Sequence, residues 1–247
     1  MTDRNFWVSF WESKKDLIFE LPADYVFGRM LAQIVKEKNI KSAVELGGFP
    51  GYYATYLKKY QQIEATLFDY FVHYDLVNRL LKKNGLKEGD IQIIESDLFT
   101  YHPEKQYDLV LSFGLIEHFT DLKDIIQNHL KFLNPGGTLF ITLPNFRGVN
   151  GWVQKKFDHE NYLKHNISSM DLELLETISK QLGLKVKRVA YHGRFTVWLE
   201  NKAQKSAATK AIVKSIWLSG KVITKIFGFE SKALSPYIIL EAEKPVN

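Results

Sequence analysis

The segment best suited to chemistry is Glu45-Leu46-Gly47-Gly48-Phe49-Pro50-Gly51. It follows a short apolar run and precedes a helical pattern. Its glycines let the backbone turn sharply and approach a ligand closely, and the helix start beyond offers free N–H groups. Two phosphate-binding fingerprints fail on the residues themselves. A G-x-G-x-x-G pattern meets Phe49 when read from Gly47 and Pro50 when read from Gly48, and no Lys-Ser or Lys-Thr pair follows Gly51. Eighteen residues beyond Gly51, Asp69 closes a second apolar run. An acidic residue at that distance can accept both hydroxyls of a ribose, and Tyr70 or Phe71 next to it can lie on an adenine face. A solvated Asp that caps the next helix fits the same position. The chain has no cysteine, which excludes disulfides, thiolate metal sites and cysteine nucleophiles.

Seven apolar or β-branched runs read as strands: 42–46, 65–69, 91–95, 109–113, 138–143, 184–191 and 237–242. Between them, 52–60, 73–84, 121–132 and 170–182 carry helical spacing, and a further helix over 23–38 precedes the first strand. Strands alternating with helices across short connections predict a mostly parallel sheet covered on both faces. Such sheets bind ligands beyond the carboxyl ends of their strands, where strand order reverses. The useful residues are therefore those just past each run.

Read in that order, these segments resemble the motifs of the class I methyltransferases that use S-adenosylmethionine. Glu45, Gly47 and Gly51 match the first motif, with Gly48 inside the same turn, and Phe49 departs from it by replacing the middle glycine. A side chain there is expected to crowd the cofactor's amino-acid tail. Tyr107-Asp108-Leu109-Val110-Leu111-Ser112 through Leu115-Ile116-Glu117-His118 looks like the family's F-D-x-V-x-S-x-x-x-L-E-H segment, and Leu133-Asn134-Pro135-Gly136-Gly137-Thr138-Leu139 like its L-x-P-G-G-x-L turn before a strand. The resemblance implies an α/β, Rossmann-like, doubly wound sheet of seven mostly parallel strands with an antiparallel last strand. An N-terminal helical cap would occupy 1–40, the cofactor-binding core 41–145, and substrate-side inserts 146–169 and 201–230, all in one domain spanning 1–247. It implies S-adenosyl-L-methionine as cofactor, bound by Glu45, Gly47, Gly48, Gly51, Asp69 and Tyr70. It places Asp97 at the adenine amino group, Leu98 on the ring, and the backbone of Ser112 and Phe113 at the methionine part.

The same placement nominates His118, past the fourth strand, as the general base for a hydroxyl acceptor, with His192 and Asn145 behind it. Glu117 either orients His118 or is solvated. His73, His102 and His129 lie in helix or linker contexts and read as surface residues. His159 and His165 stand six apart without a fitting carboxylate, so no metal site is expected.

The acceptor is expected to be a small molecule. Nucleic-acid amino methyltransferases carry Asn/Asp-Pro-Pro-aromatic after the fourth strand, and this chain does not. A net charge of +5 and a pI of about 9.1 permit nucleic acid or anionic lipid without demanding either. The aromatic cluster Asn5 to Trp11 can close over the cofactor or pack on the sheet edge. The segment 202–227 is basic: Lys210, Lys214, Lys221 and Lys225 form a narrow stripe, with Ile212, Ile216, Ile223 and Ile226 opposite and Gly220 as a break in the helix. Such a helix can lie on an anionic membrane, can receive a phosphorylated or lipid-linked substrate, or can simply cover the core with a solvated lysine face. No apolar run is long enough to span a bilayer, residues 1–15 do not read as a signal peptide, and the expected location is cytoplasmic, at most peripheral to a membrane. The competing readings are a non-catalytic binding module that keeps the fold, a nucleic-acid methyltransferase, and last a nicotinamide enzyme. Oligomeric state leaves no mark on the sequence.

Overall fold

The computed structural model describes residues 4–12, 16–200, 202–227 and 230–246; the side chains of 5–7, 12 and 227 also lie outside the described residues. The elements in chain order are α1 (Arg4–Glu12), α2 (Gly28–Lys38), β1 (Ser42–Leu46), α3 (Tyr52–Tyr56), β2 (Glu64–Asp69), α4 (Tyr74–Lys83), β3 (Gln92–Glu95), β4 (Tyr107–Phe113), α5 (Leu122–Leu130) and β5 (Leu133–Pro144). They continue with α6 (Val149–Phe157), α7 (His159–Leu163), α8 (Leu172–Gln181), β6 (Lys185–His192), α9 (Ala207–Phe227) and β7 (Tyr237–Glu243). The seven strands form one sheet in the order β3-β2-β1-β4-β5-β7-β6. β1 pairs in parallel with both β2 and β4, Val44 standing opposite Thr66 and Val110. β7 runs antiparallel to β5: its end, Lys244, exchanges backbone hydrogen bonds with Gly136 and Gly137 at the start of β5, while Pro236, before β7, receives the N–H of Asn145 past the other end. The sheet matches the expected seven mostly parallel strands with an antiparallel last one.

Contacts divide the chain into two compact units. One comprises Thr2–Phe113, Asp124–Phe140 and Glu243–Asn247, and so holds β1 to β4. Its strands bury Leu46, Leu67, Leu109 and Leu111 completely; each such leucine contributes about 1.5–3 kcal/mol by leaving water. The other comprises Gly114–Lys123 and Ile141–Ala242. There Val153, Phe195, Val197 and Val213 form a cluster flanked by Val149, Ile216 and Trp217.

Four local expectations are corrected. The helix expected over 23–38 starts at Gly28, because Phe27 takes a left-handed conformation (φ 62°). The helix over 52–60 loosens into a π-helical turn at Leu57–Gln61. The Pro-Gly-Gly segment lies inside β5 rather than before it. Gly220 does not break α9, which is continuous; a Cβ at Gly220 would sit 2.0 Å from the Phe195 ring, so the glycine is where the helix presses onto that ring.

Candidate active site

β1 sits where strand order reverses, flanked by β2 on one side and β4 on the other. Loops leaving the carboxyl ends of β1 and β4 therefore diverge and leave a crevice. Glu45, one residue before the end of β1, is buried, and its Oε2 accepts the N–H of Ala54 at 2.8 Å in the first turn of α3. Burial pushes its carboxyl up to about 8 against the N–H groups of Ala54 and Tyr53. The glycine turn runs directly over it: a Cβ on Gly48 would lie 2.2 Å from the Glu45 Cγ. Gly51, at φ 92°, then leads into α3. Glu45 thus anchors the turn and the helix start, one layer beneath the surface a ligand would touch.

Asp69, at the end of β2, is held by the same turn. Its Oδ2 accepts the Phe49 N–H at 2.8 Å and its Oδ1 the Phe71 N–H at 3.1 Å. Burial pushes its carboxyl up to about 6, opposed by those N–H groups and assisted by the charge of Glu95. With the Tyr70 N–H opposing the shift as well, three donors still leave lone-pair capacity on the carboxylate. The Phe49 side chain, 2% exposed, packs edge-on against Trp11 of α1 (5.2 Å) and against Phe71 (5.9 Å). Arg4 of α1 pairs with Glu95 at 2.8 Å and lies 5.5 Å over the Phe71 ring. Helix α1 is therefore pinned to the carboxyl ends of β1, β2 and β3, and a cleft of about 480 Å3 opens between Trp11, Leu17, Phe71 and Leu76. Of the N-terminal aromatics, Phe6 and Trp7 lie outside the described side chains. Tyr70 is exposed, Leu98 is buried, and the Oδ1 of Asp97 accepts the Phe99 N–H at 2.9 Å.

At the end of β4 the Ser112 side chain turns inward. His129 donates from Nδ1 to the Ile125 carbonyl (2.7 Å), so its Nε2 accepts the Ser112 hydroxyl (2.9 Å). His129 is completely buried, not a surface residue, and burial lowers its imidazole to about 4. Phe113 stacks on Tyr53 with ring centroids 3.4 Å apart. The side chains of Ser112 and Phe113 are thereby both engaged within the protein.

The catalytic candidates all belong to the other unit. Both amide hydrogens of Asn145 are spent on the carbonyls of Lys232 and Ser235, at 2.8 Å each, and its Oδ1 accepts the Arg147 N–H. It clasps the segment that leads into β7. His192, at the end of the edge strand β6, pairs through Nδ1 with Glu230 at 2.6 Å. Glu117 and His118 share a 3-10 turn, Ile116–His118. Glu117 is 1% exposed rather than solvated, and burial pushes its carboxyl up to about 8. His118 donates from Nδ1 to the Lys164 carbonyl at 3.2 Å, and its ring lies 4.8 Å from that of His165. Burial, with His165 adding to it, lowers the His118 imidazole to about 4, far from the optimum for a base at neutral pH. Sequence reasoning missed the His118–His165 contact, since the two stand 47 positions apart in the chain.

A family model described as a methyltransferase domain matches residues 21–189. Malonyl-[acyl-carrier protein] O-methyltransferase 2 of Ilyobacter polytropus is 24% identical over 168 residues, covering 64% of this chain; the match spans 59% of that relative's length. Among solved structures, phosphoethanolamine N-methyltransferase 2 of Haemonchus contortus, in complex with S-adenosyl-L-methionine, superposes with a TM-score of 0.58 at 17% identity over 88% of this chain and 52% of that one. A SAM-dependent methyltransferase from Archaeoglobus fulgidus gives a TM-score of 0.53 at 16% identity over 87% and 94%. The residues at the switch point fit S-adenosylmethionine: a buried carboxylate with lone-pair capacity left for the ribose diol, and a close glycine turn beside it. By the match of its sequence over more than half its length, the chain belongs to the methyltransferase-domain family, and its fold is that of the class I, Rossmann-like methyltransferases.

Proposed function

We propose that the protein transfers the methyl group of S-adenosylmethionine to a small-molecule acceptor, a sugar or a phosphorylated or lipid-linked glycan intermediate. The observation that carries the reading is Asp69: a buried carboxylate at the end of β2, fixed by the Phe49 and Phe71 N–H groups, beside the glycine turn. Asp69 would hold the ribose hydroxyls, Asp97 and Leu98 the adenine, and the backbone of Ser112 and Phe113 the methionine part. When bound, the sulfonium supplies an already electrophilic methyl group. The protein's task is then mainly to orient the acceptor in line with the carbon–sulfur bond and to exclude water. Helix α1, pinned by Arg4 and Trp11, supports the water exclusion. Phe49 supports it too: its ring is packed against Trp11 and Phe71, so replacing the family's glycine builds the seat of α1.

The acceptor class rests on α9. Val213 and Gly220 make its buried side, whereas Ile212, Leu218, Val222, Ile223 and Ile226 are exposed, Ile226 by 71%. The isoleucines opposite the lysines therefore do not all cover the core, and an exposed apolar band runs beside Lys210, Lys214, Lys221 and Lys225. That combination suits the surface of an anionic membrane, where lipid-linked acceptors reside. No helix among the described residues is long and apolar enough to cross a membrane. The primary test is thermal unfolding with S-adenosylhomocysteine and with NADH. Stabilisation by the first alone supports the reading, and transfer of labelled methyl to lipid-linked or phosphorylated sugars then identifies the acceptor. Absence of stabilisation at millimolar ligand would favour the non-catalytic binding module.

A further inference from the structure

The Glu117 carboxylate, the His118 imidazole and the His165 imidazole meet inside one unit, their ligand atoms within 4.8 Å of one another. Nothing in the chemistry of methyl transfer described above uses this convergence. Two further observations give it direction. Glu117 is 1% exposed, yet among the described residues its Oε2 has no hydrogen-bond partner. A buried carboxylate oxygen left without a donor is costly, and a cation would satisfy it. Both imidazoles, moreover, are held from behind. His118 donates from Nδ1 to the Lys164 carbonyl and His165 from Nδ1 to the Asn161 carbonyl at 2.7 Å. A carbonyl can only accept, so both rings carry their proton on Nδ1 and their lone pair on Nε2. Metal-bound histidines are oriented in this way, the far ring N–H being anchored on a carbonyl or carboxylate.

The scaffold around the three groups is rigid. The Asn166 N–H donates to the Glu117 carbonyl at 2.6 Å, and its side-chain amide to the Phe119 carbonyl at 2.9 Å. These bonds tie the turn that carries Glu117 and His118 to the segment that carries His165. The Phe146 ring lies 4.7 Å from the His165 ring and fixes its plane. A Cβ on Gly114 would come within 3.3 Å of the Glu117 Oε1, so the glycine leaves room for the carboxylate.

We propose that Glu117, His118 and His165 form a binding site for a divalent first-row transition-metal ion, with Zn2+ or a metal of similar preference as the natural occupant. Two imidazole nitrogens and one carboxylate oxygen suit such ions and not Mg2+ or Ca2+, which take oxygen ligands. Metal–ligand bonds of about 2.1 Å place neighbouring ligands about 3–3.5 Å apart, so the three groups close by about an ångström on binding. Three protein ligands leave a coordination position for water or for an oxygen donor of another molecule. The inference gives His118 the role of ligand in place of general base, and it stands or falls separately from the methyl-transfer reading.

The test uses the full-length protein, stripped with chelator, desalted, and titrated with Co2+ as a spectroscopic probe and Zn2+ as competitor. The expected result is one Co2+ per chain with visible d–d absorption, displaced by Zn2+ and unaffected by excess Mg2+, with X-ray absorption showing imidazole nitrogen in the first shell. Glu117→Gln and His165→Gln should each weaken binding about 10-fold or more, while His159→Gln, at an exposed position six residues from His165, should not. Stabilisation by S-adenosylhomocysteine, measured on every variant, reports folding independently of metal. If Glu117→Gln fails to fold, the half-buried His165→Gln decides. Wild-type protein that melts cooperatively but retains no Co2+ after desalting overturns the proposal. So does a folded His165→Gln that keeps the wild-type stoichiometry and spectrum.

Discussion

At the scale of single residues, Asp69 sets two pH effects of opposite sign. Burial raises its folded carboxyl from 3.8 to about 6. In the free protein, a group with a raised folded value adds stability that is complete below its unfolded value and is lost as pH rises through about 6. Glu45, raised to about 8, extends that loss upward. The ligand-free protein should therefore melt lower as pH goes from 5 to 8, in scanning calorimetry at constant ionic strength. Cofactor binding needs the ionised form as an acceptor for ribose hydroxyls. Affinity for S-adenosylhomocysteine, read by calorimetric titration, should fall by about tenfold per pH unit below about 6. Asp69→Ala should remove the pH effect and weaken binding by roughly 100-fold, since hydrogen bonds to a charged group are worth about 1.5–3 kcal/mol each. A wild-type affinity that stays flat from pH 7 to 4.5 would remove Asp69 from the site. Gly48 gives a steric counterpart. A Cβ there meets the Glu45 side chain at 2.2 Å, so Gly48→Ala should cost about 1–3 kcal/mol in overpacking and displace the turn, lowering both melting temperature and cofactor affinity.

At the scale of elements, the strands were legible in the sequence within one or two residues at most ends. Val44, Leu67 and Val110 belong to continuous apolar runs because a central parallel strand is buried on both faces. Errors arose where a distant contact overrode local pattern. Gly220 has the signature of a helix break, yet it lies within α9 because the Phe195 ring occupies the space a Cβ would need. His129 stands among polar residues of a helix, Gln127-Asn128-His129, yet it is buried, its imidazole meeting the hydroxyl of Ser112, 17 residues earlier. α9 itself carries a testable consequence. Its band of Leu218, Val222, Ile223 and Ile226 is exposed, so Ile223→Asp with Ile226→Asp should leave the melting temperature within about 0.5 kcal/mol equivalent of wild type. The same pair should reduce flotation with phosphatidylglycerol vesicles at low salt. Equal flotation of wild type and variant, or none by wild type, would reduce α9 to a solvated helix.

At the scale of the molecule, the candidate chemistry is partitioned. The glycine turn, Asp69, Asp97, Ser112 and Phe113 lie in one compact unit, and Glu117, His118 and His165 in the other. The first group was legible because each member follows a strand and family motifs keep its order. The second was not, because ligand-spacing rules compare residues close in sequence, whereas His165 reaches His118 through the Asn166 clasp after an insert. The partition makes the two ligands separable by hydrogen exchange. S-adenosylhomocysteine should slow exchange around 46–54, 69–72 and 96–99, where backbone N–H groups already converge on Glu45, Asp69 and Asp97. Zn2+ should slow it around 114–119 and 161–168, the turns joined by Asn166. At about 100 times its dissociation constant, S-adenosylhomocysteine adds about 2.7 kcal/mol, roughly 5–10 °C in melting temperature for a chain of this size. A Zn2+ footprint coinciding with the nucleoside footprint would mean that the metal binds through the cofactor crevice and that the Glu117 cluster is only a buried polar contact; footprints confined each to its own segments would establish two sites in one chain.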